Sequence, residues 1–157
     1  MSHIIIDGYN LIGIYHKDLK SARSELIKQL IKYKRIKGHS ITVVFDGHGG
    51  MSSTDTRQVT GGITVVFSRI GKRADDVIKE LILKGSGEKI VITSDREIVR
   101  FAWAHGAIPV DSEIFLDKIS VIQQHPDEDN DYDDWYNKTS RRLSKKQKAI
   151  KRAINKL

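Results

Sequence analysis

Short apolar runs, mostly β-branched, recur along the chain and are separated by stretches with helical spacing. The runs HIIID (3–7), ITVVFD (41–46), ITVVFS (63–68), KIVIT (89–93) and AIPV (107–110) show little polar alternation. A strand with one wet face alternates apolar and polar residues, so runs of this kind predict strands buried on both faces of a parallel sheet. Between them, residues 20–37 place Leu26, Ile27, Leu30, Ile31 and Tyr33 at helical spacing and stop at Gly38. The pattern returns over 74–84 (Val77, Ile78, Leu81), 96–105 (Ile98, Val99, Ala102) and 112–124 (Phe115, Ile119, Ile122). Glycines at 85 and 106 are natural helix stops. Strand–helix alternation of this type predicts an α/β domain with three α/β/α layers around a mainly parallel sheet.

Two stretches break the alternation. Residues 47–62, GHGGMSSTDTRQVTGG, have no helical periodicity and predict a long polar loop directly after Asp46. After the last helical pattern, PDEDNDYDD (126–134) reads as an acidic linker, and residues 135–157 as a basic helix with Leu143, Ile150, Ile154 and Leu157 on one stripe. The expected organisation is therefore a domain over 1–125 followed by a linker and helical tail over 126–157.

Charge sharpens the picture of the tail. The chain of 157 residues carries a net charge of +7, yet residues 127–137 hold six acids and no base, and residues 138–157 hold nine bases and no acid. A block that includes Arg141, Arg142, Lys145, Lys146, Lys148, Lys151 and Arg152 attracts polyanions, of which RNA is the favoured one; a solvated helix face would look the same. The apolar stripe is thin for a membrane-surface helix, and no run approaches the roughly 18 apolar residues of a membrane span. The absence of cysteine excludes disulfides and Cys-ligated metal sites and accords with a reducing compartment. With no leader-like segment before HIIID, a cytoplasmic location is expected.

Candidate chemistry concentrates in four aspartates. Asp7 and Asp46 end strands and are each followed by glycine, Asp75 opens a helix, and Asp95 follows KIVITS. Strand ends and helix starts share one edge of such a sheet, and carboxylates gathered there call for a hard divalent cation, Mg²⁺ or Mn²⁺. Asn10 follows Asp7 closely and is assigned a substrate-orienting or supporting role. Asp75 lies at the edge of its helix's apolar stripe, whereas Asp76 points away and suits the helix dipole. Ser94-Asp95-Arg96-Glu97 also reads as a capping box with Ser94 as N-cap. Lys72 and Arg73, just ahead of the Asp75 helix, are candidates to grip a phosphate. Tyr9, Tyr15 and Trp103 could stack a base, although core packing is their commoner use, and His48 stands close to Asp46. No Walker loop or HExxH pair is present.

The segments IIIDGYNLIG, VVFDG, VVFSRIGKRADDVIKELI and IVITSDREI, in this order and spacing, resemble the NYN family of PIN-like nucleases, and most closely its bacterial YacP-like branch. The resemblance covers residues 3–124 and implies a Rossmann-like PIN fold and a metal-dependent ribonuclease. On it, Asp7, Asp46, Asp75 and Asp95 would ligate Mg²⁺ or Mn²⁺, with Asn10 and Asp76 beside them. It also implies hydrolysis of an RNA phosphodiester by a metal-activated water, leaving a 5′-phosphate and a 3′-hydroxyl. Single-stranded or looped RNA is the expected substrate, free or presented within a larger ribonucleoprotein. Two other readings compete. An aspartate-based phosphatase would need an acid at position 9, which is Tyr9; a catalytically silent RNA-binding module would gain nothing from four acids facing phosphate.

Overall fold

The apolar runs do become strands. In the computed structural model, which describes residues 1–13, 18–47, 52–124 and 143–157, the elements are β1 (His3–Asp7), α1 (Gly8–Ile12), α2 (Leu19–Lys37), β2 (Ser40–Phe45), β3 (Thr56–Thr60), β4 (Ile63–Phe67), α3 (Ala74–Leu83), β5 (Lys89–Ile92), α4 (Arg96–Ala104), β6 (Ile108–Val110), α5 (Ser112–Gln124) and α6 (Lys145–Lys156). They form one six-stranded sheet in the order β3-β4-β2-β1-β5-β6. Every pairing is parallel except that of β3 with β4.

Alternation along each strand sends successive side chains to opposite helical layers. Ile4, Ile6, Val43 and Phe45 pack with Leu26, Leu30 and Tyr33 of α2 and Phe115 and Ile119 of α5. Ile5, Val44 and Val91 pack on the other side with Val77, Ile78 and Leu81 of α3 and Ile98 and Ala102 of α4. Both layers are apolar, which is why these strands lack polar alternation.

Two expectations are corrected by the fold. The stretch 47–62 is not wholly loop, because residues 56–60 form the edge strand β3, all five of them exposed. It pairs back on β4 through a turn at Gly61 and Gly62, both with positive φ. Directly after Asp7 the chain forms a short helix, α1, whose N-cap is the Asp7 side chain. The described basic helix begins at Lys145, capped reciprocally by Ser144 and Gln147, so Leu143 and Ser144 lie outside it. The acidic linker, Trp135, Tyr136, Arg141 and Arg142 lie outside the described residues, as do Tyr15 and His48. Among the described residues no helix is long and apolar enough to cross a membrane.

Helix α6 packs against β6 and adds Ala153 and Leu157 to the α2–α5 core. The Tyr33 hydroxyl donates to the Leu157 carbonyl at 2.8 Å, His39 binds the Lys156 carbonyl, and the Lys156 ammonium pairs with Glu88. His39 and Glu88 immediately precede β2 and β5, so α6 closes over the starts of the parallel strands. Tyr33→Phe should therefore lower stability by about 1–2 kcal/mol, because a buried carbonyl loses its donor while ring packing is kept. A shift in the urea midpoint at unchanged slope would register the loss.

Candidate active site

Because the strands are parallel, their carboxyl ends and the starts of the following helices share one edge of the sheet. Asp7 ends β1, Asp46 follows β2, Asp75 is the second residue of α3 and Asp95 precedes α4. The order β2-β1-β5 places the first, second and fourth of these on adjacent strands. The acids influence one another electrostatically across this edge: Asp7 feels Asp75 and Asp46, and Asp75 feels Asp95 and Asp46.

Asp7 is the innermost acid, with 7% of its surface exposed. Burial, chiefly, and then the charges of Asp75 and Asp46 push its carboxyl up to about 6, against the lowering effect of the Asn10 N–H and the Thr93 hydroxyl. One of its oxygens accepts from the Asn10 backbone at 3.4 Å and the other from Thr93 Oγ1 at 3.3 Å. Asp46 Oδ1 accepts from the Ala74 N–H at 2.7 Å, so it caps α3 from another strand. Asp75 is half-buried; burial raises its carboxyl, the Arg73 guanidinium 2.7 Å away opposes this, and Asp95, Asp46 and Glu97 raise it further. Asp76 faces solvent, as its helical position predicts, and accepts from the Arg73 backbone N–H.

Asp95, not Ser94, is the N-cap of α4: its Oδ1 accepts from the N–H groups of Glu97 and Ile98. The Ser94 hydroxyl is taken by Asp111 at 2.8 Å, and Glu97 pairs with Lys79 instead of closing a box. Thr93, which no motif singles out, joins two of the acids, since its hydroxyl donates to Asp7 and accepts from the Asp95 N–H at 3.1 Å. Asn10 is a tie between elements: its Oδ1 accepts from the Ser94 N–H at 2.8 Å and from the Ser112 hydroxyl at the start of α5. A polar residue closing the apolar run KIVIT was the only hint of Thr93 in the sequence.

The flanking cations divide. Lys72 bridges Asp55 and Glu80, each at 2.8 Å, and those two carboxylates hold its ammonium above its ordinary range. Arg73 reaches Asp75 with 70% of its side chain exposed at the mouth of the cluster. Lys145, Lys146 and Lys148 are exposed on α6, and Lys146 lies 5.4 Å over the Trp103 ring. These three lysines therefore do not join the acids. Tyr9 packs edge-on against Phe45, which leaves its ring committed to the interior. Among the described residues no three acidic or histidine side chains stand close enough to form a ready ion cage. Asp7, Asp46 and Asp95 each orient at least one oxygen toward the scaffold.

A family model described as the YacP-like NYN domain matches residues 4–156. The chain is also similar to a crystal structure of Rae1 (YacP) from Bacillus subtilis, at 28% identity and a TM-score of 0.65, over 80% of this chain and 78% of that one. A W164L mutant of the same protein superimposes with a TM-score of 0.65 at 21% identity, over 94% and 89% of the two chains, which speaks for the fold alone. No curated protein matches the chain. The α/β order, the acids at the carboxyl edge and the match over nearly the whole chain agree: this protein belongs to the YacP-like NYN domain family, within the PIN-like nucleases.

Proposed function

We propose that the chain is a metal-dependent endoribonuclease acting on single-stranded RNA. The observation that carries this reading is the placement of Asp7, Asp46, Asp75 and Asp95 at strand ends and helix starts on one sheet edge, where burial and the neighbouring acids raise the Asp7 carboxyl to about 6. The donor set, carboxylate oxygen throughout, fits Mg²⁺ or Mn²⁺ and offers nothing to a soft metal. Such a cation, when bound, would supply charge neutralisation at the scissile phosphate and an acidified water. The chain's own residues do the positioning. Thr93 holds Asp7 and the Asp95 backbone in one frame, Asn10 fixes α1 against the β5–α4 turn, and Asp76 steadies the first turn of α3. Arg73, exposed beside Asp75, is the cation best placed to meet a phosphate, and Lys72 braces the loop through Asp55 and Glu80.

The test is cleavage of a labelled, unstructured RNA with Mn²⁺, Mg²⁺ or excess chelator. Metal-dependent products with 5′-phosphate ends support the reading, and RNA that stays intact under every condition refutes it. The lack of a ready ion cage among the described residues favours one alternative, a silent RNA-binding module of the same fold. Tight RNA binding without cleavage would be its signature.

The basic helix is assigned a separate, sequence-independent part in RNA affinity, with Arg141 and Arg142 continuing its charge in the sequence. Replacing Lys145, Lys146 and Lys148 together by Gln should weaken RNA binding and reduce the slope of log Kd against log salt by up to about 2, at about 0.7 for each phosphate no longer neutralised. The turnover of bound RNA should change little. An unaltered salt slope would remove α6 from the interface.

A further inference from the structure

A polyanion approaching four clustered carboxylates needs cations on both walls of the cleft. Arg73 stands on the α3 wall. On the opposite wall, Arg23 projects from the first turns of α2 and donates from Nη1 to the Tyr9 hydroxyl at 2.8 Å. The Tyr9 hydroxyl in turn faces the Asp46 carbonyl at 3.5 Å, so a single side chain separates Arg23 from the backbone of one of the acids. Its guanidinium carbon lies 5.8 Å from the centre of the Phe67 ring. Phe67 stacks on Phe45 with centres 5.6 Å apart, and Phe45 meets Tyr9 edge-on at 5.3 Å, so the guanidinium rests on an aromatic seat that limits its rotation.

Lys72, Arg73, Lys79 and Lys156 each pair with a carboxylate, whereas among the described residues no carboxylate pairs with Arg23. Its neighbours on α2 do not serve: Asp18 is spent capping Ser21, and Glu25, two positions on, points roughly 200° around the helix. A fixed, half-buried guanidinium with donors to spare suits a phosphate, which it can grip with two parallel hydrogen bonds.

We propose that Arg23, seated on Phe67 and held by Tyr9, is a clamp for a backbone phosphate of the bound strand next to the scissile one. This rests on the RNA-cleaving reading above. The nucleic acid then crosses the carboxyl edge of the sheet from the α2 wall to the α3 wall, with the acids between the two arginines.

Single-turnover and steady-state cleavage of short RNAs, each with one uncharged methylphosphonate linkage at a different position around the cut, tests the clamp. For wild type, one flanking position should raise KM by about tenfold beyond the others. Arg23→Ala should show that rise with the all-phosphate RNA and be indifferent to methylphosphonate at that position, while Arg23→Lys should recover part of the loss. Arg23→Ala behaving like wild type, or losing equally at every position, overturns the clamp alone. Sensitivity of Arg23 variants to an abasic nucleotide rather than to the neutral linkage also overturns it, in favour of a base contact. If wild type cleaves no RNA, the parent reading falls and the clamp with it. Should Arg23→Ala fail to fold, Arg23→Lys decides, because a merely structural cation would not change which linkage matters.

Discussion

Asp7→Asn should abolish RNA cleavage, by about 100-fold or more, while leaving the fold as stable as wild type or more so. The two effects have one cause. Asp7 is buried next to two other acids, and its carboxyl is raised from 3.8 to about 6. Asparagine has the same shape and can still accept from the Asn10 N–H and bond Thr93 Oγ1, but it carries no charge. In metal-free protein the raised value means that folding favours the protonated form. That contribution is fully present below about pH 4, is lost as pH rises through about 6, and stays lost above. The ionised side chain thus costs about 3 kcal/mol at neutral pH, and Asp75, shifted in the same direction, adds to the trend. Melting curves in chelator should show the advantage of Asp7→Asn over wild type widening between pH 4 and 6 and levelling beyond. A variant that cleaves within a few fold of wild type would remove Asp7 from the chemistry, and a pH-independent difference in stability would contradict the origin given for the shift.

Gly47→Ala should damage both the fold and the site, with a loss of about 1–3 kcal/mol in stability and more than tenfold in cleavage. A methyl group there would stand 2.0 Å from the Ser68 carbonyl oxygen, part of the backbone just beyond β4. That oxygen cannot swing aside, since the Ser68 N–H is bonded to the Phe45 carbonyl and its hydroxyl accepts from the Gly47 N–H. The ends of β2 and β4 must therefore part, carrying Asp46 off the start of α3. Gly47 does not have positive φ, so the clash is the whole effect. Ser68→Ala removes only one hydrogen bond at the same place and should cost about 1 kcal/mol. Equal effects from the two substitutions would show that the close approach is not what matters.

The parallel strands could be read from the sequence because burial on both faces writes itself as unbroken runs such as ITVVF. Edge strand β3 could not. TRQVT buries no face and takes one ladder, so neither periodicity nor hydrophobicity marks it, and only the antiparallel partner makes it a strand. Helix α1 is five residues long and depends on its Asp7 cap. The acids were legible for a similar reason as the strands: a carboxylate closing an apolar run is conspicuous. The one-residue error at α4 came from two good capping residues in sequence, Ser94 and Asp95, a choice made by Asp111 from a different loop. Thr93 and Arg23 acquire meaning only through partners 86 and 14 residues away, which no local pattern records.

The two helical layers have unequal relations to the acids. On the α3–α4 side the helices bearing Asp75 and Asp95 rest directly on Val77, Ile78 and Ile98, so any repacking there moves the chemistry. On the other side, Leu30, Tyr33 and Ile119 lie well along their helices, with Leu30 roughly 16 Å down α2 from its start at 1.5 Å per residue. Thermostabilising mutations are best sought in that remote half of the interior, which can be hardened without moving the four acids.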